Sequence, residues 1–175
     1  MKIYIILLLT SVCHAFHSLS LLRHRQLIKR HYTIKNTSFV KLNSHFSVIS
    51  SKITDKSILK KTLLDINKDF DIYDGPLMIY SYNNKKIEVE LSIKQDNYYD
   101  IGFVLEDNVY NMVTDLQFWN QSVSPKVFME NLIKQYTINS IFETCEEQGF
   151  YTEHITTDLN TGFTEIVVAR YKNKI

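Results

Sequence analysis

His45, Asp100 and Asp115 carry what acid–base chemistry this sequence offers. Asp100 stands just before the apolar run Ile101–Leu105, and Asp115 just after Val109–Val113. The polar residues Glu106-Asp107-Asn108 lie between the runs and read as a three-residue hairpin turn. Such a hairpin brings its strand ends together, and paired carboxylates suit general acid–base work or a divalent cation. A histidine beside them would complete an acid–base couple. The plainer reading is that each aspartate ends its strand by accepting backbone amides. Two oxygen ligands without neighbours make a poor metal site, and a lone strand histidine is more often a satisfied, half-buried residue. The sequence has no P-loop, no GxGxxG and no HExxH. Ser44 and Ser47 lack a nucleophile-elbow context. The residues therefore assign no cofactor and no metal, and they point away from an enzyme. A small enzyme or ligand-binding protein built around His45, Asp100 and Asp115 stands as the alternative.

Beyond Asp115 the chain reads Leu116-Gln117-Phe118-Trp119, with the only tryptophan. Tyr80, Tyr82, Tyr98, Tyr99, Phe103, Phe118 and Trp119 offer a stacking surface for nucleobases or a pigment. Mostly they read as core, since each such ring buries roughly 150–250 Å². Any rings left exposed are anchors for a protein partner, because tyrosine and tryptophan are favoured at interfaces. Tyr82, Phe118 and Trp119 are the candidate partner-binding residues.

The elements that must position these groups follow from periodicity. Ser44–Ile53 is β-branched and partly alternating, a first strand. Thr54 or Asp55 caps a helix carrying Ile58, Leu59, Leu63 and Ile66 at helical spacing. Phe70–Tyr73 is a short strand candidate ending at the turn signal Asp74-Gly75-Pro76, and Leu77–Tyr82 is another. Ile87, Val89, Leu91 and Ile93 alternate with Glu88, Glu90, Ser92 and Lys94, a strand with one solvated face. Ser124-Pro125 starts a helix that runs to about Gln148, with Gly149 as its C-terminal cap. Its two apolar stripes, Phe128/Leu132/Tyr136 and Ile138/Ile141/Phe142/Cys145, are out of phase, which predicts a kink near Thr137 or two short helices. Phe150–Thr157 and Phe163–Tyr171 are the last strands, and Ile166–Ala169, apolar on both faces, is central. The expected fold is α+β: one mainly antiparallel sheet with two helices on one face, in the order β-α-β-β-β-β-α-β-β.

Charge divides the chain. Residues 1–54 hold 8 basic and no acidic residues, and residues 55–175 hold 12 basic and 19 acidic residues, giving +8 − 7 = +1. An acid-free basic leader on an acidic body is the mark of a targeting segment. Lys2 followed by apolar Ile3–Val12 reads as a signal peptide over residues 1–15, too short for the ~20 apolar residues of a membrane span. Residues 16–40 resemble a transit peptide, and residues 41–175 form the domain. Signal peptide plus transit-like segment, with Phe16 after the expected cleavage, suits import into a plastid of secondary origin. The competing reading is a secreted protein with a basic N-terminus. Cys145 alone remains once the leader is removed, so no intramolecular disulfide is possible, which suits a stroma-like compartment. The acidic body argues against nucleic-acid binding, and the mature form has no expected membrane span.

The body resembles the Ycf35 family, or DUF1257 domain, of algal plastids and cyanobacteria. Ser44-His45-Phe46-Ser47, Tyr99-Asp100-Ile101-Gly102-Phe103 and Thr114-Asp115-Leu116-Gln117-Phe118-Trp119 are similar to its motifs. Gln135-Tyr136, Gln148-Gly149-Phe150 and the strand ending at Arg170-Tyr171 are similar too. The chain departs at Tyr80-Ser81-Tyr82-Asn83-Asn84, where an Arg-Gly-Tyr-x-Gly-like segment is usual, and at Tyr171, where Trp is frequent. The resemblance implies a plastid protein, here in a nuclear-encoded copy, whose biochemical role is unknown. With no catalytic constellation, an accessory or assembly factor acting through contacts with an unidentified protein is the expected function.

Overall fold

The computed structural model describes residues 5–9, 39–41, 46–158 and 163–170. Its elements are β1 (Ile5–Leu9), β2 (Phe39–Lys41), β3 (Phe46–Ile49), α1 (Lys56–Ile66), β4 (Ile72–Tyr80), β5 (Lys86–Ile93), β6 (Ile101–Glu106), β7 (Val109–Asp115), a 3-10 turn (Leu116–Phe118), α2 (Pro125–Glu147), β8 (Tyr151–Thr157) and β9 (Thr164–Ala169). The class is α+β, the strands pair antiparallel, and the order from β3 onward is the expected one. The strands form two sheets, of six strands (β2-β3-β7-β6-β5-β4) and three (β1-β9-β8). Thr37–Asn139 makes one compact unit, and Met1–Asn36 with Ser140–Ile175 makes the other.

In the first unit Asp55 caps α1, its carboxylate accepting the Ile58 N–H at 2.9 Å. Helix α1 contributes Leu59 and Leu63, and α2 contributes Phe128, Met129, Leu132 and Ile133, to a core against Ile49, Leu91, Ile93, Ile101, Phe103 and Met112. Both helices therefore cover one face of the six-stranded sheet. A buried amide ties them together. Asn139 Nδ2 donates to Thr62 Oγ1 at 3.0 Å and to Asp65 Oδ2 at 2.9 Å, and its Oδ1 accepts from Gln135.

The opposite face is covered by the sheet's own β4–β5 hairpin. Val89 and Leu91 share a parity on β5, yet Leu91 joins the helix-side core while Val89 joins Phe46, Val48, Ile79 and Val113. The strand therefore bends between them, opposite a register shift between Asp74 and Leu77. Gly75 sits there with φ +123°, backbone that side chains rarely adopt. The expected turn at Asp74-Gly75-Pro76 is thus a bulge inside one strand. Lys56 at 2.7 Å and Lys60 at 3.2 Å pair with Asp74 from α1, and these contacts hold the Asp74 carboxyl below its usual pKa. The folded-back half crosses β6 at Gly102, where a Cβ would come within 2.5 Å of Val89 Cγ1 and 2.8 Å of Ile79 Cδ1.

The β6–β7 hairpin closes through two residues rather than three. Glu106 pairs with Val109, and Asp107 and Asn108 both take positive φ, the type I′ signature.

Helix α2 is continuous, without a break at Thr137, whose hydroxyl bonds the Ile133 carbonyl at 2.7 Å. The phase change between its stripes coincides with the boundary of the two units at Asn139/Ser140. In the second unit Gly149 ends α2 at φ +72°, with Phe150 N–H bonded to Cys145 C=O and Gly149 N–H to Glu146 C=O. Strand β9 lies centrally between β1 and β8, with Ile166, Val168 and Ala169 fully buried. Strand β1 falls within the segment read as a signal peptide. The expected cleavage before Phe16, the transit-like segment up to Ser38 and the residues 159–162 lie outside the described residues. No described helix is long and apolar enough to cross a membrane.

Candidate functional site

Continuing the β6–β7 register two residues past Gly102↔Val113 sets Asp100 opposite Asp115. The two buried carboxylates nevertheless face different partners. Asp100 Oδ2 accepts from Lys94 Nζ at 2.9 Å, and Oδ1 accepts the Gln95 N–H at 3.3 Å. The bond to Asp100 raises the Lys94 pKa against the opposing effect of burial. Asp115 Oδ1 accepts the Gln117 N–H at 3.2 Å, capping the 3-10 turn, and Oδ2 accepts the Tyr82 N–H at 3.3 Å. The second bond exists because the β4–β5 hairpin folds back over the sheet and brings its tip to the end of β7. His45 lies outside the described residues; its neighbour Phe46 is opposite Asp115 in the β3–β7 register.

The hook after Asp115 sorts the aromatic residues into two groups. Trp119 packs edge-on to Phe128 at 5.4 Å, at the margin of the helix-side core, and its indole N–H donates to Val123 C=O at 2.7 Å. Phe103 is fully buried. Phe118 turns the other way and is sandwiched between two tyrosines. Tyr99 stacks at 4.1 Å with an interplanar angle of 27°, and Tyr82 at 5.4 Å with 20°. Tyr82 is 59% exposed and Tyr98 87% exposed, and Leu116 and Tyr80 are also exposed. The three-ring stack and its exposed neighbours form an aromatic surface where β4 and β7 end and β6 begins.

Two residues passed over by the sequence reading hold this surface. Buried Gln95 Oε1 accepts the Asn120 N–H at 2.9 Å and a Gln121 amide hydrogen at 3.2 Å, and its Nε2 donates to Tyr99 C=O. Asn97 Nδ2 donates to Phe118 C=O at 2.6 Å, and its Oδ1 accepts the Tyr99 N–H at 3.1 Å. The loop 95–99 and the loop 116–121 are thus clasped by side-chain amides. The only sequence signal was a run of amide-bearing residues between strands, which also reads as an ordinary turn.

Tyr82, Phe118 and Asp115 come together, while Trp119 serves the core margin and Asp100 the Lys94 pair. Among the described residues no group of three or more His, Cys, Asp or Glu is placed to hold a metal ion. Ser81 Oγ and Thr114 Oγ1 are buried with no hydrogen-bond partner among the described residues. Burial raises the Cys145 thiol pKa, away from the range of a reactive thiolate.

A family model described as "Protein of unknown function (DUF1257)" matches residues 63–167, which span β4 through most of β9. Three similar proteins carry the name "Uncharacterized protein ycf35". That of Pyropia yezoensis is 37% identical over 107 residues, 61% of this chain and 82% of its own. That of Guillardia theta is 33% identical over 129 residues, 74% of this chain and 98% of its own. That of Cyanophora paradoxa is 35% identical over 113 residues, 60% of this chain and 87% of its own. No solved structure matches. The name ycf35 is a plastid-genome gene name in algae and suggests a plastid protein. The matched region carries the Asp100–Trp119 hairpin and hook, and the chain belongs to the DUF1257 family, the Ycf35 proteins.

Proposed function

We propose that this protein is a non-catalytic accessory or assembly factor of the plastid stroma, acting through protein–protein contacts. One observation carries the reading: the Tyr82–Phe118–Tyr99 stack, clasped by Gln95 and Asn97, leaves Tyr82 59% exposed. A rigid, half-exposed aromatic cluster has the composition of an interface anchor. Truncating Phe118 and Tyr82 to alanine removes the stack and spares the helix-side core. The double variant is expected to fold with an unchanged circular dichroism spectrum. On a native sizing column of plastid extract it should elute as the free chain, while the wild type elutes in a larger assembly. Co-elution of wild type and variant would sink the docking reading. The basic leader supports import into a plastid of secondary origin by a nuclear-encoded copy.

A second reading, a small-molecule site around His45, Asp100 and Asp115, draws support from the register that sets Asp100 and Phe46 opposite Asp115. Against it, each carboxylate already accepts groups that shape the fold. A screen of small metabolites by thermal shift on wild type and Asp100→Asn decides. A stabilising compound whose effect disappears in the variant would favour this reading over docking.

A further inference from the structure

Strand β9 is the centre of the three-stranded sheet, and Ile166, Val167, Val168 and Ala169 are all buried. One of its edges pairs with β8. The other pairs with β1, antiparallel over five residues from Ile5↔Val168 to Leu9↔Thr164. These two neighbours differ in origin. Strand β1 lies inside residues 1–40, read as the plastid leader, whereas β8 and most of β9 lie inside the region matched by the family model. Removal of the leader takes β1 away. Among the described residues that remain, nothing else pairs with that edge of β9. Most of β2 is lost as well, but its sheet keeps five strands, from β3 to β4. The smaller sheet keeps only the β8–β9 hairpin, and two strands alone make a marginal sheet. A bare apolar edge is a template for another strand.

We infer that in the mature protein this edge of β9 pairs with β9 of a second copy, joining two β8–β9 hairpins into one four-stranded antiparallel sheet. The inference rests on removal of the leader, as the plastid reading requires. The place of β1 shows what the edge accepts: a short apolar strand running antiparallel. Strand β9 meets that description itself, with the sequence Thr-Glu-Ile-Val-Val-Ala. A twofold axis perpendicular to a sheet brings two identical edges together antiparallel, the sense in which β1 lies. With Val167 of one copy opposite Val167 of the other, Ile166 meets Val168 and Glu165 meets Ala169. That register sets β-branched residues against each other and opposes no like charges. The same edge is used on both copies, so the pairing closes at a dimer.

The test uses the C-terminally tagged chain recovered from plastids. Intact mass reports whether the leader has gone, and native mass spectrometry reports how many copies share one particle. Two copies of a shortened chain are expected. The peptide acetyl-Lys-Lys-Ile-Ile-Leu-Leu-Leu-Lys-Lys-amide, which carries the β1 sequence, is then added in excess. It should take the edge and reduce the particle to one copy with one peptide bound. A control with Pro in place of the second Ile and the second Leu should leave the pair intact, because proline cannot donate to a strand ladder. A shortened chain present as one copy, aggregates without a defined copy number, or a pair indifferent to the β1 peptide would overturn the inference and leave the delivery reading standing. Recovery at full mass would end both, because β1 then keeps the edge. The docking reading stands or falls separately, since Tyr82 and Phe118 belong to the other unit.

Discussion

Gly102 shows how one residue can report a whole arrangement. As a strand residue it looks like a weakness, since glycine brings no side chain to pack. The fold needs it because the β4–β5 hairpin returns across β6, and a Cβ would stand 2.5 Å from Val89 Cγ1. Gly102→Ala should therefore lower the unfolding free energy by about 1–3 kcal/mol in urea denaturation, through overpacking. The Lys94–Asp100 pair belongs to the same scale. Its stabilisation is fully present below the unfolded lysine pKa of about 10.4 and fades as pH rises through the higher folded value. Lys94 is half exposed, so the effect is at most about 1 kcal/mol. Wild type should lose stability above about pH 10 more steeply than Asp100→Asn, as read by chemical denaturation at a series of pH values.

At the scale of elements, two features decide how the candidate surface is held. The first is the clasp of loops 95–99 and 116–121 by Gln95 and Asn97. Gln95→Ala strips the Asn120 N–H and the Tyr99 carbonyl of their side-chain partner. It should cost about 0.5–1.5 kcal/mol and change the emission of Trp119, which lies inside the clasped loop. The second is the buried bridge from Asn139 to Thr62 and Asp65, which fixes how α1 and α2 lie on the sheet. Asn139→Leu leaves Thr62 with only its bond to Ile58 C=O. A loss of about 1–3 kcal/mol by thermal or urea melting is expected, without loss of the aromatic surface.

At the scale of the molecule, charge and targeting dominate. Residues 1–54 hold no acidic residue and residues 55–175 hold 19, and the proposed delivery to a plastid rests on the basic segment of residues 1–40. A C-terminally tagged chain recovered from plastids should run below the 20.6 kDa of the full chain, as read by intact mass. Recovery at full mass, or from the culture medium, would overturn the plastid delivery argument.

Read alone, the sequence determined the α+β class, the element order, the cap at Asp55, the helix end at Gly149 and the hairpin after Asp100. All of these are local: periodicity, turn chemistry and capping act over a few residues, and each is written where it acts. It also singled out Asp100, Asp115, Tyr82, Phe118 and Trp119. What it left undetermined was which of them meet. Val89 and Leu91 alternate without fault, and nothing nearby announces the bend that sends them to different cores. That bend arises from the Gly75 bulge acting together with the space left at Gly102, residues far apart in the chain. It brings Tyr82 to Asp115, and so only the tertiary structure parts Phe118 from Trp119, one to the exposed stack and one to the core. The division of α2 between two units has the same origin. The helix is continuous where its two stripes change phase, and that change coincides with the boundary of the two units.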